Sequence, residues 1–239
     1  MSRNRIIVSA FSNLTTDQRI EKVCKTLHDL GFEIELIGND WNGKEEMSRP
    51  YPFSRISIHS KSLKTAYFEF NVKLHKVLQR KIDENTILLA NDLDALLPNY
   101  LLAKKFNIPL VFDSHEIFSE MPAVQGKISQ KIWRFLQKKT VPHLSFMITA
   151  SEGYANWFHK KYGVQPTVVQ NAPRKVDFNV EIPENQPKII LYQGALNPFR
   201  GIDKAILAMH HLENAVFKIA GDGPRKQEFE ELVVKEKLQ

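Results

Sequence analysis

Residues 112–120, FDSHEIFSE, set one histidine among three acids: Asp113, His115, Glu116 and Glu120. Three chemistries fit such a cluster: a metal site, a proton-handling group, or the polar end of a buried strand. Spacing argues against a metal, because the cluster has no second histidine and His115 starts neither an H-x-x-x-H nor an H-x-E spacing. A histidine on a strand-end loop is a hydrogen-bonding or proton-handling group, or else a structural cap. Upstream, NDLD (91–94) offers Asp92-x-Asp94, a spacing that holds divalent metals in some enzymes. Its simpler reading is an N-cap at Asp92 with Asp94 favouring the helix dipole. Two further stretches, QGALNPFRG (193–201) and IAGDGPRK (219–226), put Gly194, Gly221, Asp222 and Gly223 between a strand and a helix. Turns of that kind let backbone amides approach a phosphate. Neither matches G-x-G-x-x-G or the P-loop, so no dinucleotide or ATP site is indicated. Arg200 has the planar fork that pairs with a diphosphate.

These residues need elements to position them. Nine short apolar runs read as strands: RIIVSAF, FEIELIG, RISIH, TILLAN, PLVFD, SFMITA, PTVVQ, KIILYQG and AVFKIAG. Helical patterns lie between them. The clearest carries Ile20, Val23, Cys24, Leu27 and Leu30, with Thr15 or Thr16 as cap and Gly31 as stop. Apolar strands alternating with helices predict an α/β fold, a doubly wound parallel sheet covered on both faces. Ligands of such sheets bind outside the carboxyl ends of the strands. There the chain delivers SNLTTDQR, GNDW, NDLD, DSHE, SEG and QNAP, and later QGALNPFRG and GDGPR. Residues 171–187 hold three prolines and no helical period, which predicts a linker between domains 1–170 and 188–239.

Composition sets outer bounds. With 43% hydrophobic and 25% charged residues the chain has the make-up of a soluble globular protein. A single cysteine, Cys24, excludes an internal disulfide or a cysteine zinc cluster and reads as a small core residue. The first residues lack the apolar run of a signal peptide, and no stretch is long enough to span a bilayer. A cytoplasmic location is the expectation. Net charge is +6, which favours anionic partners. Much of the excess lies in two predicted helices, 61–82 and 126–140. Each is either a solvated face opposite a core stripe or an attachment to an anionic membrane, with Trp133 and Phe135 among the cations of the second. Nucleic acid is not an expected partner, since no aromatic residues interleave with the basic ones on a sheet.

Taken in order, these motifs resemble glycosyltransferase family 4, retaining sugar-nucleotide enzymes with the GT-B fold. NDLDALLPNYLLAKKFNIPLVFDSHEIFSE is similar to the family's stretch ending in a D-x-H-E loop. ITASEGYANWFHKKYG, VVQNAP, LYQGALNPFRGID and IAGDGPRKQEFEEL resemble four further family segments. The resemblance implies two Rossmann-like domains, the second incomplete, and transfer of a sugar from a nucleotide-diphosphate sugar to a hydroxyl with retention. It implies that His115 contacts the donor sugar without a metal or other cofactor. Gly194, Arg200, Gly221, Asp222 and Gly223 fall on the donor side, and Asp17, Asp92 and Glu116 on the acceptor side. The leaving diphosphate, held by Arg200 and loop amides, then serves as acceptor of the proton. A glycan or lipid-linked acceptor at the inner face of the membrane, in cell-envelope polysaccharide synthesis, fits the same pattern. Two departures stand out. Ala195 replaces an arginine common in the family, and the family's paired glutamates lie beyond Gln239. Expected consequences are weak activity of the chain alone and self-association through the incomplete domain. Rival readings are a non-catalytic binding module, a partner-dependent half-enzyme, or a sugar-nucleotide epimerase of the same fold.

Overall fold

The computed structural model describes residues 3–41, 46–173, 175 and 187–238. The chain divides into two compact units, Met1–Pro173 and Arg174–Gln239. The expected linker, 171–187, lies largely outside the described residues.

The first unit runs β1 (Arg5–Asn13), α1 (Gln18–Asp29), β2 (Glu33–Asn39), β3 (Phe53–Ile56), α2 (Leu63–Lys81), β4 (Thr86–Asn91), α3 (Leu93–Phe106), β5 (Leu110–Ser114), α4 (Ile128–Thr140), β6 (Phe146–Thr149), α5 (Glu152–Tyr162) and β7 (Thr167–Val168). Its seven strands are parallel, in the order β3-β2-β1-β4-β5-β6-β7. The chain builds outward to one side from β1 and to the other from β4. The two middle strands therefore flank a topological switch point, where an open sheet leaves a crevice at its carboxyl edge.

Strand β1 shows why this sheet needs helices on both sides. Ile7 points into a core with Phe70, Leu74 and Leu78 of α2, whereas Ile6 and Val8 pack with Ile20 and Cys24 of α1. Cys24 is fully buried, as its place in the helical pattern predicts.

Local chemistry at the start of α1 differs from expectation. Asp17 caps the helix, accepting the Ile20 N–H at 3.1 Å. The two threonines belong to the preceding turn: Asn13 O accepts the Thr16 and Asp17 amides at 3.2 Å. Thr15 Oγ1 accepts from Arg55 at 3.0 Å. Gly31, at φ +89°, ends the helix in the left-handed conformation that suits glycine.

The second unit holds β8 (Lys188–Gln193), α6 (Ile202–Ala208), β9 (Ala215–Ala220) and α7 (Lys226–Lys235), with β8 and β9 parallel. One sheet face packs Tyr192, Phe217 and Ile219 against Ile202, Ile206 and Phe229. The expectation of a sheet covered on both faces is not met here. Ile189, Leu191 and Val216, on the other face, remain exposed.

Candidate functional site

At the carboxyl end of β5 the chain leaves the sheet at Ser114, and His115 follows. On the neighbouring strand, β4 ends at Asn91 and Asp92 precedes α3. Asp92 does not cap that helix with its side chain. Its Oδ1 instead accepts the His115 backbone N–H at 2.9 Å, and its Oδ2 lies 3.2 Å from His115 Nδ1. The Asp92 N–H donates to Asp113 O at 2.8 Å. These contacts hold Asp92 at φ 57° and ψ 169°, at the edge of a region otherwise left to glycine. Backbone of that kind costs about 1–3 kcal/mol and persists only where its surroundings impose it; it marks functional sites.

The opposite ring nitrogen of His115, Nε2, is buried 3.3 Å from Asp113 Oδ2, off the line of a good hydrogen bond. That contact is charge pairing before it is hydrogen bonding. Asp113 in turn receives Arg19 Nη2 at 2.7 Å, with both side chains buried. Arg19 Nη1 also donates to Val169 O at 3.1 Å, just beyond β7. Asp92, His115, Asp113 and Arg19 thus form a chain of alternating charge linking the ends of β4, β5 and β7 to the first turn of α1.

The electrostatics follow from that order. Burial disfavours the charged imidazole, but the contacts and negative charges of Asp113 and Asp92 outweigh it and carry His115 up to about 10. Burial likewise raises the Asp113 carboxyl, yet His115 and Arg19 outweigh it and hold Asp113 below the ordinary value. Asp94 feels the charge of His115 more weakly than burial, and among the described residues no cation bonds its carboxylate. It is buried with Oδ1 unpaired among the described residues. Burial and then the charge of Asp92 raise its carboxyl well above the ordinary value. At neutral pH His115 is a cation with two N–H donors and no lone pair for accepting a proton.

Of the residues singled out from the sequence, His115 and Asp92 are brought together. Glu116 is adjacent and exposed, its backbone carbonyl accepting from Ser114 Oγ at 2.8 Å. Asp17 serves as the α1 cap. Asp113, named in the histidine cluster, and Arg19, the last residue of SNLTTDQR, are the members to which the sequence reading gave no role. An acid inside an apolar strand demands a buried cation, and Asp113 carried that signal. Nothing local paired it with Arg19, 94 positions away.

In the second unit the two glycine turns meet backbone to backbone. Gly194 N–H donates to Ala220 O at 3.0 Å, and Leu196 N–H to Asp222 O at 2.9 Å. A Cβ on Gly221 would overlap the Gly194 carbonyl, and one on Gly223 would come within 2.8 Å of Leu196 N. The glycines are needed for this close approach, and the Gly194 amide is already engaged. Asp222 Oδ1 accepts the Gly223 N–H at 2.8 Å. Arg200 stands apart on the turn before α6, exposed and unpaired among the described residues. Gly221→Ala should therefore force the two turns apart and destabilise the second unit by ~1–3 kcal/mol. Hydrogen exchange over 188–238 would read this as lost protection, and unchanged protection would contradict the packing argument.

Comparisons place this geometry among known proteins. A search among curated proteins finds no match. Among solved structures, sucrose-phosphate synthase from Thermosynechococcus elongatus superposes with a TM-score of 0.76 at 14% identity, over 99% of this chain and 68% of that one. WaaG, a glycosyltransferase involved in lipopolysaccharide biosynthesis, gives 0.68 at 13%, over 96% and 66%. Anabaena Alr3699/HepE, in complex with UDP and glucose, gives 0.67 at 14%, over 98% and 67%. The chain thus spans about two thirds of these proteins and shares their GT-B fold. The family model of glycosyltransferase family 4 matches residues 18–178, a stretch running from the first turn of α1 past the end of the first sheet. On that match, covering more than half of its length, this chain belongs to glycosyltransferase family 4.

Proposed function

We propose that this protein transfers a sugar from a nucleotide-diphosphate sugar to an acceptor hydroxyl, with retention of configuration and without a metal. The observation that carries the reading is Asp92, strained in its backbone, holding a cationic His115 through its carboxylate beside the switch point of a family 4 sheet. His115 contacts the donor sugar with its ring, both of its N–H groups being turned to the Asp92 and Asp113 carboxylates. As an imidazolium it is not the base, so the acceptor's proton passes to an oxygen of the departing diphosphate. Negative charge developing on that group is offset by Arg200 through its planar fork and by amides of the loops that Gly194, Gly221, Asp222 and Gly223 shape. Asp92 and Glu116 line the acceptor side; Asp17 contributes there by fixing the start of α1. HepE, solved with UDP and glucose, supports a nucleotide sugar as donor. WaaG, involved in lipopolysaccharide biosynthesis, supports an acceptor of the cell-envelope glycan class; that the acceptor is lipid-linked and held at the inner face of a membrane is part of the same proposal.

The reading includes a dependence on further polypeptide. Ile189, Leu191 and Val216 form an open apolar sheet face in the second unit, the unit assigned to the donor. Such a face supports a half-enzyme completed by additional chain, a partner or a second copy. Calorimetry with uridine or guanosine diphosphate, beside a transfer assay, tests this. The 239-residue chain should bind nucleotide weakly and show little or no transfer. Micromolar nucleotide binding with robust turnover would show that the donor site has been misplaced.

A further inference from the structure

Helices α2, α3 and α4 lie side by side on the first unit, with α3 in contact with both neighbours. Their outer surface is not that of an ordinary solvated layer. On α4, Ile128, Ile132 and Phe135 are 78%, 59% and 64% exposed. Steps of four and three residues put them on one stripe, while Gln130, Gln137 and Thr140 turn inward. Trp133, expected beside Phe135 on the outside, instead packs inward on Phe118 and Tyr67, because its phase matches the buried stripe. On α2, Phe68 is 75% exposed, and Val72 follows one turn later, opposite buried Phe70 and Leu74. The two helices touch where Tyr67 meets Trp133 edge to face, with ring centroids 5.5 Å apart.

Charge decides what such a surface fits. Residues 126–140 contain five Lys/Arg and no acid. Arg134 is engaged by Glu120 at 2.7 and 3.0 Å, leaving Lys131, Lys138 and Lys139 exposed beside the apolar stripe. On α2, Lys64 and Lys76 extend the Phe68–Val72 line at four-residue steps in both directions. A partner must supply apolar depth and a sheet of negative charge together. We propose that the α2–α4 face docks on an anionic lipid bilayer, with Phe68, Ile128, Ile132 and Phe135 entering the boundary between headgroups and acyl chains. The flanking lysines then pair with lipid phosphates. Among the described residues no helix is long and apolar enough to cross a membrane, so the attachment is interfacial. The inference gives a specific surface to the reading of a membrane-held acceptor and rests on that reading for its purpose alone.

Co-sedimentation of the full chain with vesicles tests it, using phosphatidylcholine alone and phosphatidylcholine containing phosphatidylglycerol. Binding is expected to the second only, and to weaken with salt. The pair Ile132→Ser and Phe135→Ser should lower the partition constant about tenfold or more. The triple change Lys131→Gln, Lys138→Gln and Lys139→Gln should do the same. Both sets sit on the solvent side of α4 and should leave the unfolding midpoint unchanged. No binding to anionic vesicles, equal binding to both kinds, or wild-type binding by the serine variant would overturn the proposal. So would a dimer in sedimentation velocity that the serine variant dissolves, since the stripe would then be a protein interface. Vesicle binding is read without donor or acceptor, so its failure leaves the transfer reading standing, and the reverse.

Discussion

Replacing Arg19 by methionine should destabilise the first unit by about 3 kcal/mol or more, the range seen when one member of a buried ion pair is removed. Asp113 is only 1% exposed and loses the partner at 2.7 Å that offsets its burial. His115, 3.3 Å away, softens the loss without cancelling it, because it also answers Asp92. The end of β7 is untied as well, through the lost bond to Val169 O. Acid should expose the same coupling. Asp113 has a depressed pKa in the native state, held there against burial by His115 and Arg19. Its contribution is therefore present above the unfolded value of ~3.9 and lost as pH falls through the lower native one. In the variant that contribution shrinks, so the stability gap to wild type should narrow as pH falls through this window. Urea unfolding across pH measures both effects. A double-mutant cycle with Asp113→Asn should show strong coupling, whereas additive costs, or a loss under 1 kcal/mol for Arg19→Met, would mean the pair does not stabilise this edge of the sheet.

How much of this was legible in the sequence depends on how local each cause is. All nine strands among the described residues were marked by runs of apolar residues, since a parallel strand needs both faces apolar and little else. The third was misplaced by about two residues. RISIH suggested 55–59, but β3 is Phe53–Ile56. After Ile56 the chain is drawn off the ladder by Asp40, whose carboxylate accepts Ser57 Oγ at 2.8 Å and Ile58 N–H at 2.9 Å. That capture depends on the neighbouring strand's loop, so no period in the local run reports it. Trp133 could have been placed: its phase relative to the polar but buried Gln130 and Gln137 sets it inward, and its cationic neighbours were misleading. The candidate site divides in the same way. His115 and Asp92 were visible because strand ends announce themselves. Arg19 was not, because only the folded sheet brings the first turn of α1 onto β5. The two turns of the second unit were found from their glycines, but the reason for those glycines is contact between the two turns.

His115→Ala should lower sugar transfer by about 10²–10³ in the active enzyme, the usual loss when a transition-state contact is removed. The structure adds that this variant is not silent in stability. Without the imidazolium, Asp92 faces the Asp113 edge uncompensated, and the strained Asp92 backbone loses a side-chain partner. The sign of the pH effect follows from the raised pKa. An unfolded histidine titrates near ~6.5, and His115 in the fold near about 10. Its stabilisation is complete below the unfolded value and declines as pH rises from there through the folded one. Wild type should therefore lose stability across that alkaline window, and His115→Ala should lack that part of the slope. Proton NMR of the His115 ring supplies the direct measurement, with no titration expected near neutrality. Transfer rates should likewise show no step near pH ~6.5 assignable to this residue, because a group that stays charged has nothing to lose there. A ring that titrates at its ordinary value would remove the charge chain as described. Unchanged transfer by a folded His115→Ala enzyme would instead remove His115 from the sugar-binding role while leaving the electrostatics intact. The two measurements thus separate what holds His115 in place from what His115 does.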